Sequence, residues 1–149
     1  MRELTFVAAA REGLAEEMAR DPSIFVMGEG VGARGGNFNT TTGLYELYGP
    51  QRLRDTPICE RGFTGLCTGA AMAGARPVVD FMFIDFELDA LGELFHQTSR
   101  IQYMSQGRIK MPLLLRGCIG VGGSAGPHHS GNYYPFFMHL PGFRVVVPT

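Results

Sequence analysis

Apolar positions along this chain change their spacing in a regular way. Between residues 4 and 20, Val7, Ala10, Leu14 and Met18 recur every three or four positions with charges between them, which predicts an amphipathic helix. Thr5 is placed to cap it, and Asp21-Pro22 to stop it. Residues 23–28 (S-I-F-V-M-G) are an almost unbroken apolar run, the pattern of a strand buried on both faces of a parallel sheet. Residues 29–43 are polar and glycine-rich and predict a long loop, the kind of connection that carries function. Residues 44–48 predict one or two helical turns, and residues 52–56 a short extended piece.

The alternation then repeats. Residues 61–74 predict a helix of small residues, and residues 76–82 (R-P-V-V-D-F-M) a second strand. Residues 84–106 predict one long helix whose apolar face includes Phe86, Leu91, Leu94, Phe95 and Ile101. Residues 111–116 predict a strand, 117–130 a second glycine-rich loop, 132–139 a short helix and 143–147 a last strand. Strands alternating with helices predict an α/β fold, a mainly parallel sheet with helices on both faces. A doubly wound domain normally continues into a helix after such a strand, so the chain is expected to be a fragment, or one piece of a split protein.

Composition narrows the function classes. A chain of 149 residues, 45% of them hydrophobic, fits a single domain with a real core. A formal net charge of -1 provides no basic field for nucleic acid. The apolar runs are too short to span a bilayer, and the first residues lack the pattern of a secretory leader. The three cysteines, Cys59, Cys67 and Cys118, are odd in number and lack metal-ligand spacing, which predicts reduced, structural thiols in a cytosolic or matrix-like compartment.

The candidate chemistry lies where strands end. G-V-G-A-R-G at residues 30–35 has the spacing of a dinucleotide fingerprint, but G-N-F-N-T-T-T-G follows and does not continue a helix. Glu29 also brings negative charge to where a pyrophosphate would sit. The second loop delivers His128 and His129 to the carboxyl edge of a strand, where ligands of open α/β sheets collect. They suit a proton shuttle or oxyanion donor as well as a structural role, whereas His96 and His139 read as structural. Adjacent histidines cannot easily bind one ion, and no metal site is expected. Cys59 has no adjacent histidine and no oxyanion motif to make it a nucleophile.

The most informative run is D-T-P-I-C-E-R-G-F-T-G-L-C-T-G-A-A-M-A-G, residues 55–74. It sets Glu60 between a short extended stretch and the small-residue helix. Such a carboxylate suits the helix dipole. In apolar surroundings its charged form is disfavoured, and it can share a proton with a ring nitrogen packed against it. Phe81, Met82, Phe83 and Phe86 are either ordinary core or a platform for a flat heteroaromatic ring.

Taken together, I-F-V-M-G-E, G-L-Y-E-L-Y-G, R-L-R-D-T-P-I-C-E-R-G-F-T-G, G-A-A-M-A-G-A-R-P-V-V-D-F-M-F-I-D-F, M-P-L-L-L-R-G, G-P-H-H-S and L-P-G-F-R-V-V-V-P resemble the beta subunit of 2-oxo-acid dehydrogenases. That subunit belongs to the thiamin-diphosphate-dependent decarboxylating component of the pyruvate, branched-chain or acetoin type. The resemblance covers nearly the whole chain and implies a transketolase-like pyrimidine-binding domain over residues 1–149, short of the family's C-terminal domain.

By resemblance, Glu60 contacts the cofactor's aminopyrimidine nitrogen and favours its imino form. Met82 and Phe86 pack on that ring, and Glu29 lies near it. His129 steadies the substrate and assists acyl transfer to a lipoyl group. The resemblance also implies an alpha subunit in a heterotetramer, which holds Mg²⁺ and the diphosphate through a G-D-G…N motif that this sequence lacks. It further implies a second copy of this chain, a lipoyl acyltransferase core and a small 2-oxo acid. Gly30 stands where the family often has a second acid, Cys59 where it has serine, and His128 where glutamine is frequent.

Overall fold

The computed structural model describes residues 2–148. Helix α1 (Phe6–Arg20) starts where the Thr5 hydroxyl accepts the Ala8 N–H, and leads into strand β1 (Ile24–Gly28). Helix α2 (Leu44–Tyr48), strand β2 (Leu53–Asp55), helix α3 (Glu60–Met72) and strand β3 (Arg76–Phe83) follow. Next come a 3-10 helix (Ile84–Ala90), a π-helical segment (Glu93–Thr98) and helix α4 (Ile101–Met104). Strand β4 (Leu114–Cys118), a 3-10 turn (Pro127–His129) and helix α5 (Tyr134–Met138) complete the order.

All strand pairs are parallel, in the order β2-β1-β3-β4. Side chains alternate across the sheet, so β1 serves two cores. Phe25 and Met27 join Val79 and Phe81 of β3 beneath α3, the π-helical segment and α5. Ile24 and Val26 join Val78, Leu53 and Met18 beneath α1 and α2. This is the expected α/β sheet covered on both faces. Arg52 stitches the second layer: its guanidinium donates to the carbonyls of Ile24, Met18 and Asp21 at 2.7, 2.9 and 2.8 Å.

Three sequence expectations change. Residues 84–106 do not form one helix, because 3-10, π and α turns succeed one another there. An apolar repeat of three or four residues fits each of those helices. The strand expected at 111–116 starts later, at Leu114, after Pro112, which has no N–H to give a ladder. Residues 143–147 run irregularly and line a cavity instead of adding a fifth strand.

Candidate active site

The chain passes from β1 to β2 on one side and then to β3 on the other, so it reverses beside β1. In an open parallel sheet, the carboxyl ends at such a switch point form a crevice. Glu29 follows β1, the run 56–60 follows β2, and Phe86 follows β3. His129 ends the long connection after β4.

Glu60 is the first residue of α3 and only 7% exposed. The end of β2 brings it in beside β1, where the Thr56 N–H donates to the Gly28 carbonyl at 3.1 Å. Its neighbour is Glu29, whose Oε1 is fully buried without a hydrogen-bond partner. Burial first, and the like charge of Glu60 second, push the Glu29 carboxyl above its ordinary range.

The second half of the site is aromatic. Phe83 meets Phe38 edge-on with ring centroids 5.0 Å apart, and Phe86 at 6.2 Å. The His129 ring stands edge-on to both Phe83 and Phe86, at 4.9 and 5.3 Å. Gly126, with φ at 81°, precedes the turn that presents it, and the His129 N–H donates to the Gly126 carbonyl. Asp85 fixes the far side of this turn by accepting the Gly131 N–H at 3.1 Å. His128 is exposed, and it is His129, the residue the resemblance singles out, that meets the aromatic rings.

Met82 is half-buried and holds a left-handed backbone, φ 62°. Its sulfur touches the Asn37 carboxamide from the loop after β1. Thus Glu29 and Glu60 are neighbours, while Phe86 and His129 are joined by ring contact. α3 packs against the 3-10 helix that carries Phe86 and so links the two halves. Phe81, offered as part of the platform, is core instead, 1% exposed and 5.8 Å from the Phe63 ring.

Sequence reasoning missed a polar cluster behind Met82. Asp80, buried in β3, accepts from Arg116 Nε and Nη2 at 3.0 and 2.6 Å, and Arg116 Nη2 also donates to Thr40 Oγ1 at 2.9 Å. The signal was a charged residue inside each of two apolar strand patterns, since a buried charge needs a partner. It also missed Glu87, 5% exposed on the 3-10 helix, whose carboxyl burial pushes up to about 8. A cavity of about 570 Å³, lined by Glu87, Arg116, Met82 and residues 143–148 among others, lies beside the site; Glu60, Phe86 and His129 do not line it. Among the described residues no group of three His, Cys, Asp or Glu side chains could hold a metal ion. No helix among them is long and apolar enough to cross a membrane.

Comparison with known proteins identifies the family. The chain is 43% identical over 147 residues to the mitochondrial pyruvate dehydrogenase E1 component subunit beta-2 of Oryza sativa, covering 99% of this chain and 39% of that protein. It is 42% identical over 146 residues to the pyruvate dehydrogenase E1 component subunit beta of Rickettsia conorii, covering 98% and 45%. The chain therefore spans less than half the length of these relatives. Among solved structures, a split-gene transketolase, an inactive beta4 tetramer, shares the fold with a TM-score of 0.62 and 21% identity, over 89% of this chain and 39% of that one. The family model for the pyrimidine-binding domain of transketolase matches residues 2–149, and the chain belongs to that family.

Proposed function

We propose that this chain is the pyrimidine-binding part of a beta subunit in a thiamin-diphosphate-dependent 2-oxo-acid dehydrogenase, of the decarboxylating component that passes an acyl group to a lipoyl carrier. The observation that carries this reading is the buried Glu60 beside the half-buried Glu29, where β1 and β2 end, with Glu29 Oε1 buried and unpartnered. That pair fits an aminopyrimidine, because a protonatable ring nitrogen would satisfy what the protein leaves open. Phe86 and Met82 suit a flat heteroaromatic ring. Relatives named as pyruvate dehydrogenase E1 beta subunits, 42–43% identical, support the choice of chemistry.

Bound thiamin diphosphate supplies a carbon nucleophile and an electron sink for decarboxylating a 2-oxo acid. The chain's own contribution is to bind and to move protons. Glu60 holds a proton against the ring nitrogen and thereby sets its tautomer. Glu29 lies next to it, its own carboxyl pushed upward by burial and by the charge of Glu60. Phe86 and Met82 orient the ring and exclude water from one face. His129, held edge-on by Phe83 and Phe86, presents an imidazole to the substrate side, where it steadies the acyl group and its transfer.

The crevice is half a site. Mg²⁺ and the diphosphate fall to an alpha partner in a heterotetramer that also contains a second copy of this chain. α3 exposes Gly62, Leu66, Gly69 and Met72, a low-relief face suited to close subunit contact. Residues 1–149 then form a pyrimidine-binding domain whose family counterpart continues into a C-terminal domain. The compartment is a bacterial cytoplasm or a mitochondrial matrix.

The test is Glu60→Gln in the alpha–beta complex. The expected result is loss of carbon dioxide release from the 2-oxo acid, at least about a hundredfold, with thiamin diphosphate still bound. Unchanged turnover, or ketol transfer between sugars in place of carbon dioxide release and lipoyl acylation, would overturn the reading.

A further inference from the structure

Met82 sits at the one place where the β3–β4 ladder slips. Asp80 pairs with Arg116, but Phe83 pairs with Cys118, so β3 spends three steps where β4 spends two. That is a one-residue bulge, a device that re-aims side chains beside functional sites. Met82 absorbs it with φ 62°, a conformation that a residue with a side chain adopts only when its surroundings impose it.

The surroundings that impose it are one carboxylate. Asp80 Oδ1 accepts the Met82 N–H at 2.9 Å, closing a turn two residues long. Asp80 Oδ2 accepts both Arg116 contacts, and Arg116 reaches on to Thr40 in the loop that begins with Glu29. Asp80 is 8% exposed, and a carboxylate there needs these partners. A single side chain therefore couples the strained platform residue to the loop across the crevice.

We propose that Asp80 is a positioning residue for cofactor binding: with Arg116 it locks the β3 bulge and holds Met82 against the aminopyrimidine ring. The inference rests on the functional reading above. Asp80 touches neither cofactor nor substrate; it acts through the backbone of Met82.

The test is a double-mutant cycle on the full-length alpha–beta complex, read by calorimetric titration of the apo complex with thiamin diphosphate and Mg²⁺. Asp80→Asn retains an acceptor for the Met82 N–H but loses the charge that holds Arg116. It should weaken cofactor binding about tenfold, the cost of one charge-assisted contact. In a Met82→Gly background, where glycine takes the positive φ freely, the same change should cost less than about twofold. Arg116→Gln, which leaves Asp80 and its bond to Met82 in place, should follow the same non-additive pattern and replaces Asp80→Asn if that complex does not assemble. Equal losses in both backgrounds, or wild-type affinity in Asp80→Asn and Arg116→Gln, would overturn the inference while leaving the functional reading intact. A wild-type complex that binds no thiamin diphosphate would remove both.

Discussion

Replacing Glu87 with glutamine should change how the stability of this protein depends on pH. Glu87 is 5% exposed on the 3-10 helix, and burial pushes its carboxyl from 4.5 to about 8. The native state therefore keeps a proton that the unfolded chain gives up above about pH 4.5. Stability present at low pH is lost as pH rises from about 4.5 through about 8, then levels off. At 1.36 kcal/mol per unit, the full span is worth about 5 kcal/mol. That is a large share of the stability of an ordinary domain.

Glutamine has nearly the same shape and no proton to lose. Urea unfolding at pH 5.0, 7.0 and 8.5 is the assay. The wild type should lose at least about 2 kcal/mol more than Glu87→Gln between the first and last of these. At pH 8.5 the variant should be the more stable of the two. Glu29 and Cys118 are also pushed upward by burial and remain in both proteins, so they cancel in the comparison. A difference between the two proteins that is constant across pH would refute the reasoning.

Two further predictions concern the frame that holds the site. Gly28→Ala would put a methyl group 2.4 Å from the Asp80 carbonyl oxygen, so β1 and β3 must separate where the crevice begins. Thermal unfolding should show a loss of about 2–3 kcal/mol, and a wild-type melting temperature would show that the strands yield freely. Arg52→Ala removes the donor to three main-chain carbonyls and the cation over the Tyr48 ring, 4.8 Å away. Chemical denaturation should register about 2–3 kcal/mol, with Arg52→Lys recovering less than half, because an ammonium cannot reproduce the planar fork.

The sequence by itself determined that β1 and β3 are buried strands, and therefore a parallel sheet between helices. That signal is local: apolar runs such as I-F-V-M, and P-V-V-D-F with its single charge, need no distant partner to be recognised. It also placed Glu60 at a helix start, and Glu29, Met82 and Phe86 near strand ends. Only tertiary structure decided how these groups meet. The approach of Glu29 to Glu60 depends on β2 docking beside β1, and the contact of His129 with Phe83 and Phe86 on where the second loop folds back. The break of residues 84–106 into three helix types was not legible, because an apolar repeat does not fix the hydrogen-bond step. The irregular path of residues 143–147 was equally hidden, since a strand exists only through a ladder and the ladder is a property of two segments. The Asp80–Arg116 pair shows the same limit: two charges in apolar strands announce a need, but only the register of β3 on β4 makes each the answer to the other.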